Sequence, residues 1–421
     1  MKYSMEMSLF SVKLPKYGTK NEAEKGDPKM LIARMEQIFS NFLYLKETDF
    51  IKKIFSDPPK AVLEIASESG GSDISFYFCV PNSYAPALPK YIEGAYPEAI
   101  VESIPNDYTI FDPNANVAVA SLRLKKPIYF PLNTYKNLET DPLEAITNSL
   151  TNISPSEGAA IQIVIRPSVT DVKKNGEAII SKITAEGKDL KEAVSSVEQS
   201  WSSIFSGLFS PSPKKEDKEQ IKEKKVDDET IEILRNKIRK PFFEANIRLI
   251  SSAGERPRAE EILQNMESSF AQFFSPHNNF LSARIKGKRA RKAIYDFIFR
   301  NFDERQKIFL NLEELASIYH VPLPHMESPN INWAKVKEVE PPANLPLTGP
   351  VLIGKALYRG GEKDVYVASR DDRRRHFYIV GQTSVGKSSL LKEMLRQDIE
   401  KGEGVAVIDP HGELVEDILS C

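Results

Sequence analysis

Cysteine is nearly missing from this chain. Only Cys79 and Cys421 occur in 421 residues, far apart and without the spacing of a redox pair or a metal site. Long apolar runs are missing as well. No stretch approaches the roughly 18 residues of a membrane-spanning helix, and the N-terminus lacks the apolar core of a signal peptide. Nor is there an excess of either charge. The formal net charge is -2, so no global basic field marks a nucleic-acid binder, and any such contact has to be local. These absences read as a soluble, cytoplasmic protein. The length implies about two to four domains, each able to bury a core.

What is present is concentrated near the C-terminus. Phe377, Tyr378, Ile379 and Val380 form a short apolar run that reads as a buried strand. It leads into Gly381, Gln382, Thr383, Ser384, Val385, Gly386, Lys387, Ser388 and Ser389, after which Leu390, Leu391, Met394 and Leu395 recur at helical spacing. Strand, glycine loop and helix are the context in which Gly-x-x-x-x-Gly-Lys-Ser cradles phosphates. The glycines let the backbone turn so that successive amides and the helix N-terminus face phosphate oxygens. Lys387 would reach the β- and γ-phosphates and Ser388 would ligate Mg²⁺, so the expected ligands are ATP and Mg²⁺.

A second apolar run, Val405 to Ile408, ends in Asp409 and is followed by Pro410, His411, Gly412 and Glu413. Asp409 is placed as a Walker B aspartate would be, at the carboxyl end of a strand beside the loop. Only one βα unit separates it from the loop, however, and no carboxylate follows it directly. Glu413 is the nearest candidate to orient an attacking water.

The first 290 residues read as α+β. Strands over 5–14, 61–66, 73–80 and 99–104 and helices over 28–43 and 88–96 give the order β-α-β-β-α-β of a ferredoxin-like unit, assigned to 1–110. The order begins again with strands over 117–124 and 159–165 and a helix over 141–153. A strand over 242–250, a helix over 258–274 and a strand over 280–285 complete it. A second unit is therefore expected over 111–290, with a charged insertion at 167–240. The insertion reads either as a projecting arm for a partner or as a solvated linker, the reading its composition favours. Trp201, Ile204, Phe205, Leu208 and Phe209 within it could also touch a membrane surface, or fold back onto the domain.

Arg284, Lys286, Lys288, Arg289, Arg291 and Lys292 make the densest basic cluster, either a phosphate-neutralising patch or a solvated face. Residues 291–350 read as a helical, proline-rich linker, and 351–368 as a hairpin before the loop. Arg373, Arg374 and Arg375 are open to phosphate, acidic neighbours or solvent.

The loop motif, together with Val407-Ile408-Asp409-Pro410-His411-Gly412-Glu413-Leu414, resembles the HerA/FtsK class of hexameric motor ATPases. The likeness is nearest to type IV secretion and conjugative DNA-transfer ATPases. Asn311–Ala316, Pro341–Pro346 and Asp371–His376 resemble stretches that such proteins carry ahead of the loop. The likeness covers about 305–421 and is looser before that. It implies the start of an α/β RecA-like domain over 351–421, a homo-hexamer when complete, and possible contacts with DNA or a membrane-associated secretion complex. It also implies that the hydrolytic half lies beyond Cys421, so that this chain reads as an N-terminal fragment that does not itself turn over ATP. Ser384 stands where that class usually has glycine. The alternative function is a non-catalytic interaction module with a remnant loop.

Overall fold

The computed structural model describes residues 7–16, 27–45, 58–71, 73–186, 190, 192–197, 228–334, 341–342, 344–358, 361–367, 369, 371–381, 386–410 and 412–419. The chain divides into two compact units, Met1–Val336 and Lys337–Cys421.

In the first unit the chain runs β1 (Met7–Lys13), α1 (Pro28–Phe42), β2 (Ala61–Ser67), β3 (Ile74–Pro81), α2 (Leu88–Ala95), β4 (Ile100–Ile104). It continues β5 (Asn116–Leu124), α3 (Pro142–Asn148), β6 (Gly158–Pro167), α4 (Val172–Glu186), α5 (Asp228–Ile238), β7 (Phe242–Ala253), α6 (Arg256–Ser269), β8 (Phe280–Ile285). Then follow α7 (Lys288–Ile298), β9 (Ile308–Asn311) and α8 (Leu312–Ile318). The strands form one sheet in the order β4-β1-β3-β2-β6-β7-β5-β8, with β9 added beside β7. Neighbouring strands are antiparallel throughout. The central joint is β2 on β6, where Leu63 stands opposite Ile163 and Glu64 opposite Gln162.

Side chains alternate between the two faces of a strand, and this sheet is covered on both. On one face Leu63, Ile65, Phe76, Phe78, Ile161 and Ile163 pack under the apolar stripes of α1, α3, α6 and α8. Each fully buried side chain of this kind contributes about 1.5–3 kcal/mol. The two helices that follow β1 and β5 start by the same device. Asp27 and Asp141 accept from the amides of Lys29 (3.0 Å) and Leu143 (2.8 Å), and each is followed by a proline that needs no amide partner. On the other face Val62, Ala66, Cys79, Val164 and Ile250 meet α7 through Ala293 and Phe297. Gly158 allows the chain to pass close here, because a Cβ on it would stand 2.3 Å from the Ile110 carbonyl oxygen. Burial pushes the Cys79 thiol up to about 12, so it is an inert core residue.

Several boundaries differ from the sequence reading. The helix expected to 153 ends at Asn148, while the strand expected to end at 250 runs on to Ala253. Residues 312–331, expected within a linker, belong to the core of the first unit. Leu312, Leu315, Tyr319, Val321, Leu323 and Met326 are buried there, and Ile331 bridges to Ile74. Proline at 322 and 324 stops regular structure without stopping burial. In the insertion, α4 and α5 pack on each other through Ile179, Ile183, Leu234 and Ile238, with Gly176 allowing Ile238 to approach. Trp201, Ile204, Phe205, Leu208 and Phe209 lie outside the described residues.

The second unit contains the hairpin β10 (Val351–Tyr358) and β11 (Gly361–Val367), then α9 (Lys387–Glu400) and α10 (Glu413–Leu419). Gln397 of α9 holds β10, its amide oxygen accepting from the Leu352 amide and its nitrogen donating to the Leu352 carbonyl, both at 2.9 Å. The two apolar runs expected as strands are not strands. Phe377–Val380 and Val405–Asp409 are irregular, and Tyr378, Val380 and Ile408 are 90%, 78% and 98% exposed. A central parallel strand forms by pairing on both edges and burial on both faces, and no described strand pairs with either run.

Candidate functional site

The glycine loop is described at its two ends. Gly381 is exposed, and its carbonyl accepts from Lys387 Nζ at 2.9 Å. Gln382, Thr383, Ser384 and Val385 lie outside the described residues. Gly386 has φ +93°, the left-handed region that favours glycine, and it caps α9. Its carbonyl accepts the first helical bond from Leu390 at 3.0 Å.

Lys387 is therefore the first residue of a helix of 14 residues. The opening amides of such a helix have no partner within it, and the helix dipole adds positive potential at that end. Ser388 and Ser389 follow on the exposed surface of the first turn. Lys387, the leading amides and a serine hydroxyl thus gather within one helical turn. This donor set suits a phosphate chain with a hard cation.

Asp409 sits at the other expected position. One of its carboxylate oxygens accepts from the Leu414 amide at 2.9 Å, which ties it to the first turn of α10. Glu413 is the first residue of that helix. An ion pair between Lys392 and Asp417 at 3.2 Å sets α9 and α10 side by side. His411 lies outside the described residues. Of the three arginines ahead of the loop, Arg373 forms a two-pronged ion pair with Asp398 of α9. Arg374 lies 3.4 Å from Asp371 on the surface.

Sequence reasoning missed a second set of polar residues, inside the first unit. Glu64, Gln162, Arg248 and Ser121 stand opposite one another across β2, β6, β7 and β5, and all are buried. Gln162 Nε2 donates to Glu64 at 2.7 Å, and Arg248 Nη1 donates to Gln162 Oε1 at 2.7 Å. The turn after α7 covers this stripe. Arg300, at φ +52°, donates to Glu64 (3.0 Å) and Asp107 (2.6 Å), and Arg248 donates to the Asn301 carbonyl. Glu64, Gln162, Arg248 and Arg300 bond to one another or to the covering turn, as burial of polar groups demands, though Arg248 Nε has no partner among the described residues. The signal was available in the sequence at β2 and β6, where Glu64 and Gln162 each interrupt an apolar run.

Below α8 lies a further buried pair. Asn311 and Glu314 form a capping box, and Glu314 also accepts from the Leu132 amide (2.9 Å) and pairs with Lys237. Asp141, besides capping α3, lies 3.0 Å from His320 Nε2 and 3.5 Å from His325 Nε2. Burial alone would raise its carboxyl, but the charge and hydrogen bond of His320 hold it below the usual range.

Among the described residues no helix is long and apolar enough to cross a membrane. Residues 351–417 match the family described as the central domain of the helicase HerA, which supports a HerA-like P-loop ATPase element in this stretch. No curated protein matches the chain. The first unit, from the start of α1 to the bridge beyond Ile331, has its own match: residues 32–334 fit the family described as a domain of unknown function, DUF8128. That match takes in most of the chain, which therefore belongs to the DUF8128 family and carries a HerA-like element behind the family's domain.

Proposed function

We propose that the chain is the nucleotide-binding subunit of a HerA/FtsK-like ATPase. Lys387 and the loop amides from Gly381 to Ser389 hold the triphosphate, Ser388 and Asp409 serve Mg²⁺, and Asp409 and Glu413 work near the γ-phosphate. The observation that carries this is the left-handed Gly386 opening α9, with Lys387 already turned back onto the Gly381 carbonyl. A cation resting on a loop carbonyl has only to exchange that oxygen for a phosphate oxygen. Bound Mg²⁺–ATP supplies the phosphoanhydride and its counter-charge. The residues of the chain position it and offset its negative charge.

In this reading the first unit is a pair of ferredoxin-like units, an assignment supported by the strand order in each half. They dock to neighbouring subunits of a hexamer, and the setting is type IV secretion or conjugative DNA transfer at the inner face of the membrane. The test is nucleotide binding by the full chain and by its Lys387→Ala variant. Loss of binding in the variant is expected, and unchanged binding overturns the site.

One observation favours a second reading, a non-catalytic interaction module. The DUF8128 unit is fully packed, whereas the apolar runs flanking the loop motif are exposed. Partner capture by the Lys387→Ala variant, undiminished and independent of nucleotide, would select that reading.

A further inference from the structure

The basic cluster of the sequence does not disperse over the surface. Lys286, Lys288, Arg289 and Lys292, from just after β8 and the start of α7, line a cleft of about 1000 Å³ together with Arg123 of β5 and Arg305. Two carboxylates share the lining, Asp296 and Asp303, and Lys292 pairs with both. Arg284 is likewise engaged, by Glu267 at 2.7 Å. Among the described residues the side chains of Arg123, Lys286, Lys288, Arg289 and Arg305 make no ion pair or hydrogen bond. Five unneutralised cations around one concavity are costly through mutual repulsion unless a polyanion offsets them.

The shape narrows the class of anion. A second cavity, of about 490 Å³, shares Arg123, Arg305 and Gln306 with the first and continues past Lys126 and Lys307. Lys307 is engaged by Glu244 and Glu304 and Lys126 by the Pro276 carbonyl. The two cavities nevertheless adjoin at Arg123 and Arg305, and an elongated trough of this kind suits a chain of phosphates better than a single nucleotide. At their junction the amide oxygen of Gln306 is buried with no partner among the described residues. It offers an acceptor to an amino group or hydroxyl of a ligand. A concave trough also fits a polymer strand better than a flat lipid surface.

We propose that this trough on the DUF8128 unit binds the sugar–phosphate backbone of a nucleic-acid strand, independently of the nucleotide site. The buried stripe beneath it, joined to the turn after α7 through Arg300 and Arg248, is what holds the cationic helix in place.

The test is anisotropy of the full chain with labelled strands of about 20 nucleotides, as single-stranded DNA, duplex DNA and single-stranded RNA, without ATP. With about five phosphates neutralised, affinity for a single strand should fall about a hundredfold between about 50 and 200 mM salt. The double variant Lys286→Glu/Arg289→Glu removes exposed side chains only and should weaken binding at least about tenfold while flattening the salt dependence. Arg123→Glu/Arg305→Glu, at the junction of the two cavities, should do the same. Preference among the three strands identifies the source of the backbone, and salt-steep binding of any of them that both double variants weaken supports the proposal. No binding at low salt, binding unchanged in both double variants, or capture by anionic phosphatidylserine vesicles in preference to every strand overturns it. Lys387→Ala should leave strand binding intact, which separates failure of this proposal from failure of the nucleotide site.

Discussion

The two units use similar apolar sequence to opposite effect. Ile161, Ile163 and Ile165 of β6 lie between two paired strands and are buried completely or nearly so. Phe377–Val380 and Val405–Ile408 are as apolar and have no described strand beside them, and they stand in solvent. An apolar run becomes a strand when a neighbour takes its amides and carbonyls and a second layer covers its side chains. The difference therefore lies in the neighbours, more than in the runs themselves.

The strongest way to break the first unit is through its buried charges. Arg300→Ala leaves Glu64 and Asp107 without their guanidinium, and removing one partner of a buried pair costs about 3–5 kcal/mol. Denaturant unfolding of the full chain should show the transition of the first unit moving down by that amount. The comparison is sharpened by a matched pair of substitutions. Ile163→Ala should cost about 2–5 kcal/mol, whereas Ile408→Ala should stay within about 0.5 kcal/mol, as exposed sites do. Calorimetry of both variants checks this, and an equally large loss at Ile408 would mean that this run is covered in solution.

The smallest effect expected is one of pH. The Asp141 carboxyl is held low in the folded chain, so its contribution is fully present above its unfolded value of about 4 and is lost as the pH falls through the lower folded value. The gap in Tm between the wild type and Asp141→Asn should close as the pH falls below about 4.

Much of the first unit was legible in the sequence. The strands announce themselves by β-branched runs, and Asp27-Pro28 and Asp141-Pro142 mark helix starts that the structure uses. The buried stripe was not read, because Glu64, Gln162 and Arg248 become partners only once the register of three strands is fixed. The burial of residues 319–331 was also hidden, since a proline-rich stretch looks alike in solvent and against a sheet. At the nucleotide site, residue types and spacing named Gly386, Lys387 and Asp409. The left-handed turn at Gly386 and the tie from Asp409 to Leu414 needed coordinates.

The order of strands in the sheet has one more consequence. Read from either edge to the β2–β6 joint it is the same, fourth, first, third, second, so the two halves share one strand order. A sheet with that repeat offers each strand position twice unless something is added to one half alone. Besides α4 and α5 of the insertion, the additions are the elements after β8, namely α7, β9, the turn between them and α8. They have no counterpart after β4, where residues 105–115 contain neither helix nor strand. The cationic trough lies where those additions break the repeat, so the sheet is a shared platform and the unique chemistry belongs to one side of it.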